Sequence, residues 1–153
     1  MTKKASEVLA QLRGKTLVTA ESLTGGGIGA LLTSVPGASQ VYKGGVISYT
    51  DEVKRELLGV PGAYLTEFGA VSAPVAEAMA MGAKLYLQAD VAVSVTGLAG
   101  PDGDAYGNPV GTVFIGYADA KGVSVGEYHF SGDREEVRNQ TILAALYLIL
   151  TKN

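Results

Sequence analysis

The stretch TLVTAESLTGGGIGALLTS, residues 16–34, decides the fold of this chain. Its first part, residues 16–20, is apolar and β-branched, which predicts a buried strand. Residues 24–34 predict a helix despite four glycines, and the helix must end at Val35-Pro36-Gly37 because proline cannot continue it. A strand therefore leads through a glycine-rich turn into a helix, which is typical of α/β proteins.

The same alternation of strands and helices continues on both sides of this stretch. The further predicted strands are residues 44–49, 91–96, 110–118 and 123–130, and the last two form an antiparallel hairpin because their connection is short. The further predicted helices are residues 5–12, the segment from a cap at Thr50 or Asp51 to Gly59, residues 72–88 with Ser72 as cap, and a C-terminal helix after a capping box at Asp133 and Glu136. The predicted apolar stripe of the 72–88 helix includes Leu85 and Tyr86. We expect one domain, residues 1–153, with a three-layer α/β/α fold and a mixed sheet of about five or six strands.

Composition excludes several classes of function. Twelve basic and 15 acidic residues leave a net charge of −3, which gives no general attraction to nucleic acid or to anionic lipid. The absence of cysteine excludes disulfides, a thiol nucleophile and thiolate metal sites, and the single His129 excludes a multi-histidine site. No stretch approaches the roughly 18 apolar residues of a membrane span, and Met1 to Lys4 do not begin a signal peptide. We expect a cytoplasmic protein without metal or cofactor.

The glycine-rich turn is the first candidate site, because ligands of open α/β sheets bind beyond the carboxyl ends of the strands. Ser22 lies in this turn as a possible nucleophile, and the amides of Thr24, Gly25 and Gly26 are possible donors to an oxyanion or a phosphate. The alternative is that Ser22 or Thr24 only caps the helix. Each further glycine costs a helix roughly 0.5 to 1 kcal/mol relative to alanine, so either close packing or a ligand must favour these residues.

A second candidate site follows the strand at residues 44–49. Lys54 is a possible general base, provided that burial or a neighbouring cation lowers the pKa of its amine. The alternative for Lys54 is a solvated charge on a helix surface. Tyr49 is a candidate beside it, with a place in the core or at its rim as the alternative.

A third group combines Thr96 and Gly97, at the end of a predicted strand, with two arginines of the C-terminal helix. Arg134 and Arg138 lie one helical turn apart, an arrangement that suits a phosphate group. The alternative is a solvated helix face on which these arginines pair with Glu135.

Six segments together resemble the CinA carboxy-terminal domain family, whose enzymatic members are nicotinamide-nucleotide amidohydrolases. The segments are AESLTGG at 20–26, YTDEVK at 49–54, GAVS at 69–72, TGLAGPDG at 96–103, PVGTV at 109–113 and SGDR at 131–134. Their order along nearly the whole chain makes the resemblance specific.

The resemblance implies hydrolysis of nicotinamide mononucleotide to nicotinic acid mononucleotide and ammonia, without a metal, by a protein that forms a homo-oligomer. It implies that Ser22 is the nucleophile, Lys54 its base and Tyr49 a supporting residue, and that Thr96 and Arg134 contact the intermediate or the nucleotide. Two alternatives stay open, a non-catalytic nucleotide-binding or assembly module and a Ser/Lys amidase with another substrate. The enzyme hypothesis requires the Lys54 amine to lie within hydrogen-bond reach of the Ser22 hydroxyl.

Overall fold

A mixed five-stranded sheet forms the middle layer of the computed structural model, which describes residues 1–153. The strands are β1 (Leu17–Glu21), β2 (Tyr42–Ile47), β3 (Val91–Gly97), β4 (Thr112–Asp119) and β5 (Gly122–His129). Their order across the sheet is β2-β1-β3-β4-β5, with β1 parallel to both β2 and β3, and with β4 antiparallel to both β3 and β5. The predicted mixed sheet and the hairpin are confirmed.

Helices cover both faces of the sheet. The six helices are α1 (Thr2–Gln11), α2 (Gly27–Thr33), α3 (Asp51–Leu58), α4 (Gly62–Glu67), α5 (Ala73–Tyr86) and α6 (Arg134–Lys152), with a 3₁₀ turn at Ala38–Gln40. Successive side chains of a strand point to opposite faces, so Leu17 packs in one core with α1, α2 and α6, whereas Val18 packs in a second core with α3, α4 and α5. None of the six helices is both long and apolar enough to cross a bilayer.

Several element boundaries differ from the sequence predictions. Helix α2 begins at Gly27 instead of Thr24, because Gly25 and Gly26 have φ angles of +60° and +100° and belong to a turn. Strand β2 begins and ends two residues before its predicted bounds. The short helix α4 was not predicted.

Two details of α5 also differ. Ser72 stands at its N-cap position, but the Ser72 hydroxyl donates a hydrogen bond to the Gly69 carbonyl and caps no amide. The side chains of Leu85 and Tyr86, which were expected to be buried, are 70% and 60% exposed. The buried stripe of this helix includes Met79, as predicted, and continues to Ala83. Leu85 projects from the opposite side, because the two residues from Ala83 to Leu85 correspond to about 200° of helical rotation.

The carboxyl ends of β1, β2 and β3 meet at one edge of the sheet, because the three strands run parallel. Backbone hydrogen bonds continue the ladder past the strands, from the Ser22 amide to the Val95 carbonyl and from the Ser48 amide to the Glu21 carbonyl. This register brings the three segments that carry the candidate residues side by side.

Candidate active site

The amine of Lys54 and the hydroxyl of Ser22 are neighbours in the interior of the protein. Lys54 Nζ lies 3.0 Å from Ser22 Oγ, 2.8 Å from the Ser48 carbonyl oxygen and 3.4 Å from the Tyr49 carbonyl oxygen. Lys54 is 1% exposed and Ser22 is 7% exposed. The proximity that the enzyme hypothesis requires is therefore present.

The surroundings of Lys54 shift its amine toward the neutral form. Burial lowers the pKa of Lys54, and the charge of Asp51 opposes this effect only in part. A neutral amine has two N–H groups and one lone pair. When the carbonyl oxygens of Ser48 and Tyr49 accept the two N–H groups, the lone pair remains for the proton of the Ser22 hydroxyl.

Local sequence explains how α3 carries Lys54 into this position. The Thr50 hydroxyl accepts a hydrogen bond from the Val53 amide, so the helix starts where the sequence predicts. Gly59, with a φ angle of +69°, ends it one residue after Leu58. Lys54 and Leu58, four residues apart, are the buried residues of α3 and share one face. A charge that the sequence alone would leave in solvent is thus turned inward by its helical position.

In the turn after β1, the backbone carbonyl groups accept hydrogen bonds, whereas several backbone amide groups are unpaired. The Ser22 carbonyl accepts a hydrogen bond from the Gly25 amide, while the carbonyls of Leu23 and Thr24 accept from the Arg138 guanidinium at 2.9 and 3.2 Å. The amides of Leu23, Thr24 and Gly26 have no acceptor within the protein. Two of the predicted donors, those of Thr24 and Gly26, are therefore unpaired, whereas the Gly25 amide is already bonded.

Close packing accounts for two glycines of α2. A Cβ atom at Gly27 would lie 2.7 Å from the Ile142 side chain, and one at Gly29 would lie 2.6 Å from the Tyr42 hydroxyl. Both distances are shorter than van der Waals contact, so only glycine fits at these positions without a shift of the neighbours. Of the two explanations that the sequence left open, packing applies to this pair.

Ser22 and Lys54 line a cavity of about 340 Å³ at the carboxyl edge of the sheet. Its other lining residues are Leu23, Tyr49, Asp51, Ala70, Val71, Thr96, Gly97, Leu98, Ala99, Gly100, Pro101, Asp102 and Arg134. No group of three or more histidine, aspartate or glutamate side chains is arranged to share a metal ion. A cavity in which a few polar groups converge, as Ser22 Oγ and Lys54 Nζ do here, is typical of small-molecule sites.

Arg134 connects two loops at this cavity. Its guanidinium donates to the Gly100 carbonyl at 2.7 Å and to the Tyr49 hydroxyl at 3.0 Å. Tyr49 is 57% exposed, so it lies at the rim instead of in the core. The Thr96 hydroxyl is buried and donates to the Ala70 carbonyl, which leaves its oxygen able to accept a further hydrogen bond.

Four of the predicted binding residues lie outside the lining of the cavity. They are Thr24, Gly25, Gly26 and Arg138. The Thr24 hydroxyl is buried and donates to the Glu21 carboxylate, and the guanidinium of Arg138 is engaged with the turn. Two groups near the site were missed from sequence, the Glu21 carboxylate and the Ser48 carbonyl. An acidic residue directly after a buried strand was a usable signal for the first, whereas a backbone carbonyl leaves none.

Comparison with known proteins places the chain among relatives of one kind. Residues 1–152 match the family described as the CinA C-terminal domain. The chain is 49% identical over 134 residues to a CinA-like protein of Geobacter sulfurreducens, a match that covers 88% of the chain and 32% of that relative. It is 44% identical over 146 residues to a putative competence-damage inducible protein of Desulforamulus reducens, with 94% and 35% covered. The chain thus spans about a third of the length of these relatives.

Solved structures extend the similarity to three dimensions. The competence/damage inducible protein CihA of Agrobacterium tumefaciens superposes with a TM-score of 0.94 at 38% identity, over 98% of the chain and 93% of that structure. The competence damage-inducible protein A of Klebsiella pneumoniae does so with a TM-score of 0.94 at 34% identity, over 97% and 93%. Both agree with the five-stranded α/β architecture, and the chain belongs to the CinA C-terminal domain family.

Proposed function

We propose that this protein is a serine amidohydrolase that needs no metal ion and converts nicotinamide mononucleotide to nicotinic acid mononucleotide and ammonia. The observation that carries the proposal is the distance of 3.0 Å between Lys54 Nζ and Ser22 Oγ in a cavity of about 340 Å³. A buried amine with a lowered pKa beside a serine hydroxyl is a suitable base for activating that serine. The family resemblance supplies the substrate.

The first half of the reaction forms an acyl-enzyme. Ser22 Oγ attacks the carboxamide carbon while its proton passes to Lys54 Nζ. The carbonyl oxygen becomes an oxyanion, for which the candidate donors are the unpaired amide of Leu23, a lining residue, and that of Thr24, the next residue of the turn, whose side chain lies outside the cavity. The C–N bond then breaks, and the proton held by Lys54 passes to the leaving nitrogen, which departs as ammonia.

The second half releases the acid. A water molecule gives a proton to Lys54 Nζ and attacks the ester carbon, and the bond to Ser22 Oγ breaks as that oxygen regains the proton. Lys54 therefore ends the cycle in the protonation state in which it accepted the Ser22 proton.

The walls of the cavity suit the remainder of the substrate. Arg134 is the only cationic side chain besides Lys54 in the lining, and an arginine at the mouth of a cavity suits the nucleotide phosphate. Tyr49 and Thr96 offer hydroxyl oxygens in the same cavity. Gly97 also lines the cavity, and its side-chain position faces β4, where a Cβ atom would lie 2.6 Å from the Val113 side chain. The volume is near the lower end of the roughly 300 to 1,000 Å³ range of small-ligand sites.

The test is ammonia release from nicotinamide mononucleotide by the purified protein, with separation of the nucleotide product by chromatography. We expect turnover by the wild type and by Ser6→Ala, a surface control. We expect none by Ser22→Ala and a loss of about 10² to 10⁴-fold in Lys54→Ala. Full activity in both active-site variants would refute the proposal. Tight binding of the nucleotide without ammonia would favour a binding module, and ammonia from other carboxamides alone would favour an amidase with a different substrate.

A further inference from the structure

Glu21 is a buried acidic residue that the proposed reaction does not use. Glu21 directly precedes the proposed nucleophile Ser22 in sequence, and it is 2% exposed. One carboxylate oxygen accepts hydrogen bonds from the Thr24 hydroxyl at 2.7 Å and the Ile28 amide at 2.8 Å. The other accepts from the Gly29 amide at 3.0 Å and the Thr19 hydroxyl at 3.2 Å. The carboxylate thus joins the end of β1, the turn and the first turn of α2.

These contacts change the role of the α2 N-terminus. Free amides at a helix start form a ready site for an anion. Here Glu21 occupies the amides of Ile28 and Gly29, and the Gly27 amide donates to the Thr24 carbonyl. The helix start therefore serves to fix the turn and is closed to a substrate phosphate.

Arg138 holds the same turn from α6. Its guanidinium donates to the carbonyls of Leu23 and Thr24, the two residues after Ser22. In a planar trans peptide the C=O and the following N–H point in opposite directions, so the Thr24 amide points away from Arg138. A charged donor on the Leu23 carbonyl also polarises that peptide and strengthens the Thr24 N–H as a donor.

We propose that Glu21 and Arg138 are positioning residues that hold the nucleophile turn from two sides and orient its unpaired amides toward the oxyanion. Neither residue touches the substrate, and Arg138 is not a phosphate ligand. This inference rests on the proposed role of Ser22 as nucleophile, but it does not depend on the identity of the carboxamide.

The main experiment measures the rate at which a fluorophosphonate probe labels Ser22, followed by mass spectrometry of the intact protein. Such a probe needs an activated serine and oxyanion donors but no particular amide substrate. We expect labelling to slow by about tenfold or more in Arg138→Gln and Glu21→Gln, because weakening a donor costs less than the 10² to 10³-fold of removing one. Arg138→Lys should regain part of the rate. The matched controls Arg13→Gln and Glu77→Gln carry the same changes on exposed side chains and should label at the wild-type rate.

A second readout separates positioning from phosphate binding. With nicotinamide mononucleotide as substrate, Arg138→Gln should lower kcat and leave KM nearly unchanged. If Glu21→Gln does not fold, the pair Thr24→Val and Thr24→Ser replaces it, because only serine keeps the hydroxyl that donates to Glu21. We then expect slow labelling in the valine variant and recovery in the serine variant.

The outcomes for the two proposals can be told apart. Wild-type labelling rates in both Arg138→Gln and Glu21→Gln, or a loss in Arg138→Gln that appears only as a raised KM for the nucleotide, would overturn the positioning role. A wild type that labels at Ser22 but releases no ammonia from nicotinamide mononucleotide would overturn the proposed substrate instead. In that case the ratio of labelling rates still decides whether the turn is held as we infer.

Discussion

Replacing Lys54 by methionine and by arginine tests whether the amine acts as a base or only as a structural contact. Methionine has a similar length but no proton acceptor of comparable strength. Arginine keeps the positive charge and the donors, yet its guanidinium does not lose a proton in proteins. Both variants therefore lose the base, and only the arginine variant keeps N–H donors for the carbonyl groups of Ser48 and Tyr49.

The expected size of the effect follows from the position of the amine. Lys54 Nζ is 3.0 Å from Ser22 Oγ, and general-base catalysis contributes typically about 10² to 10⁴-fold to a rate. At 1.36 kcal/mol per tenfold change, this loss raises the barrier by about 3 to 5 kcal/mol. We expect kcat to fall by about 10² to 10⁴-fold in both variants.

Stability must be followed separately, because Lys54 is buried. Methionine removes the cost of burying an amine but leaves the Ser48 carbonyl without its partner at 2.8 Å. An unpaired buried polar group costs about 1 to 3 kcal/mol, and the two effects oppose each other. We therefore expect the free energy of unfolding of Lys54→Met to change by less than about 3 kcal/mol.

The assay is single-turnover and steady-state ammonia release at a fixed pH, with thermal unfolding of each variant to confirm that it is folded. A folded Lys54→Arg that keeps more than about a tenth of the wild-type kcat would refute the base role, since the smallest expected loss is about 10²-fold. Equal loss in the arginine and methionine variants would support it.

Four further predictions concern the pH dependence of activity and of stability, the nucleotide and packing. Burial lowers the pKa of Lys54, and the neutral amine is the proposed base. We therefore expect kcat/KM to rise with pH at values below the ordinary pKa of lysine. A flat pH–rate profile would contradict this expectation. Between the lowered pKa of Lys54 in the folded protein and its ordinary pKa, the unfolded chain binds more protons than the folded protein. The free energy of unfolding, measured by denaturant titration, should therefore rise with pH more steeply in the wild type than in Lys54→Met. Arg134→Gln should raise KM for nicotinamide mononucleotide about tenfold, because the phosphate loses a charge-assisted hydrogen bond. The KM for the corresponding nucleoside, which has no phosphate, should stay nearly unchanged. Equal changes for both substrates would contradict phosphate binding by Arg134. Gly82→Ala should destabilise the protein by about 1 to 3 kcal/mol in thermal unfolding, because the new Cβ would overlap the Leu58 carbonyl, and an unchanged midpoint would contradict the packing argument.

The starts of α3 and α6 were predictable because their signals are local. The Asp133 and Glu136 pair forms the predicted capping box, and the Thr50 hydroxyl caps α3. Each cap joins residues three positions apart, so the sequence carries the complete interaction. The start of α2 was not predictable in this way, because the acceptor of its free amides is Glu21, seven and eight residues away.

The residues of the site divide in the same way between local sequence signals and contacts with distant segments. Ser22 and Lys54 could be selected as candidates from a glycine-rich turn and a helix start, but Lys54 alone resembles a surface charge. Only the parallel pairing of β1 with β2 brings its amine across 32 residues to the serine, and burial there lowers its pKa. The electrostatic role of Lys54 therefore depends on neighbours that no local pattern specifies.

By itself, the sequence determined the order of the five strands and of five of the six helices, the mixed α/β class, the absence of thiol chemistry and the segments that carry reactive side chains. The tertiary structure decided which of these side chains meet, and it assigned Arg138 to carbonyl groups 114 and 115 residues away instead of to the cavity. Periodicity and capping act between residues within one or two helical turns, whereas desolvation, close packing at glycine and hydrogen bonds across elements arise only when distant segments come together.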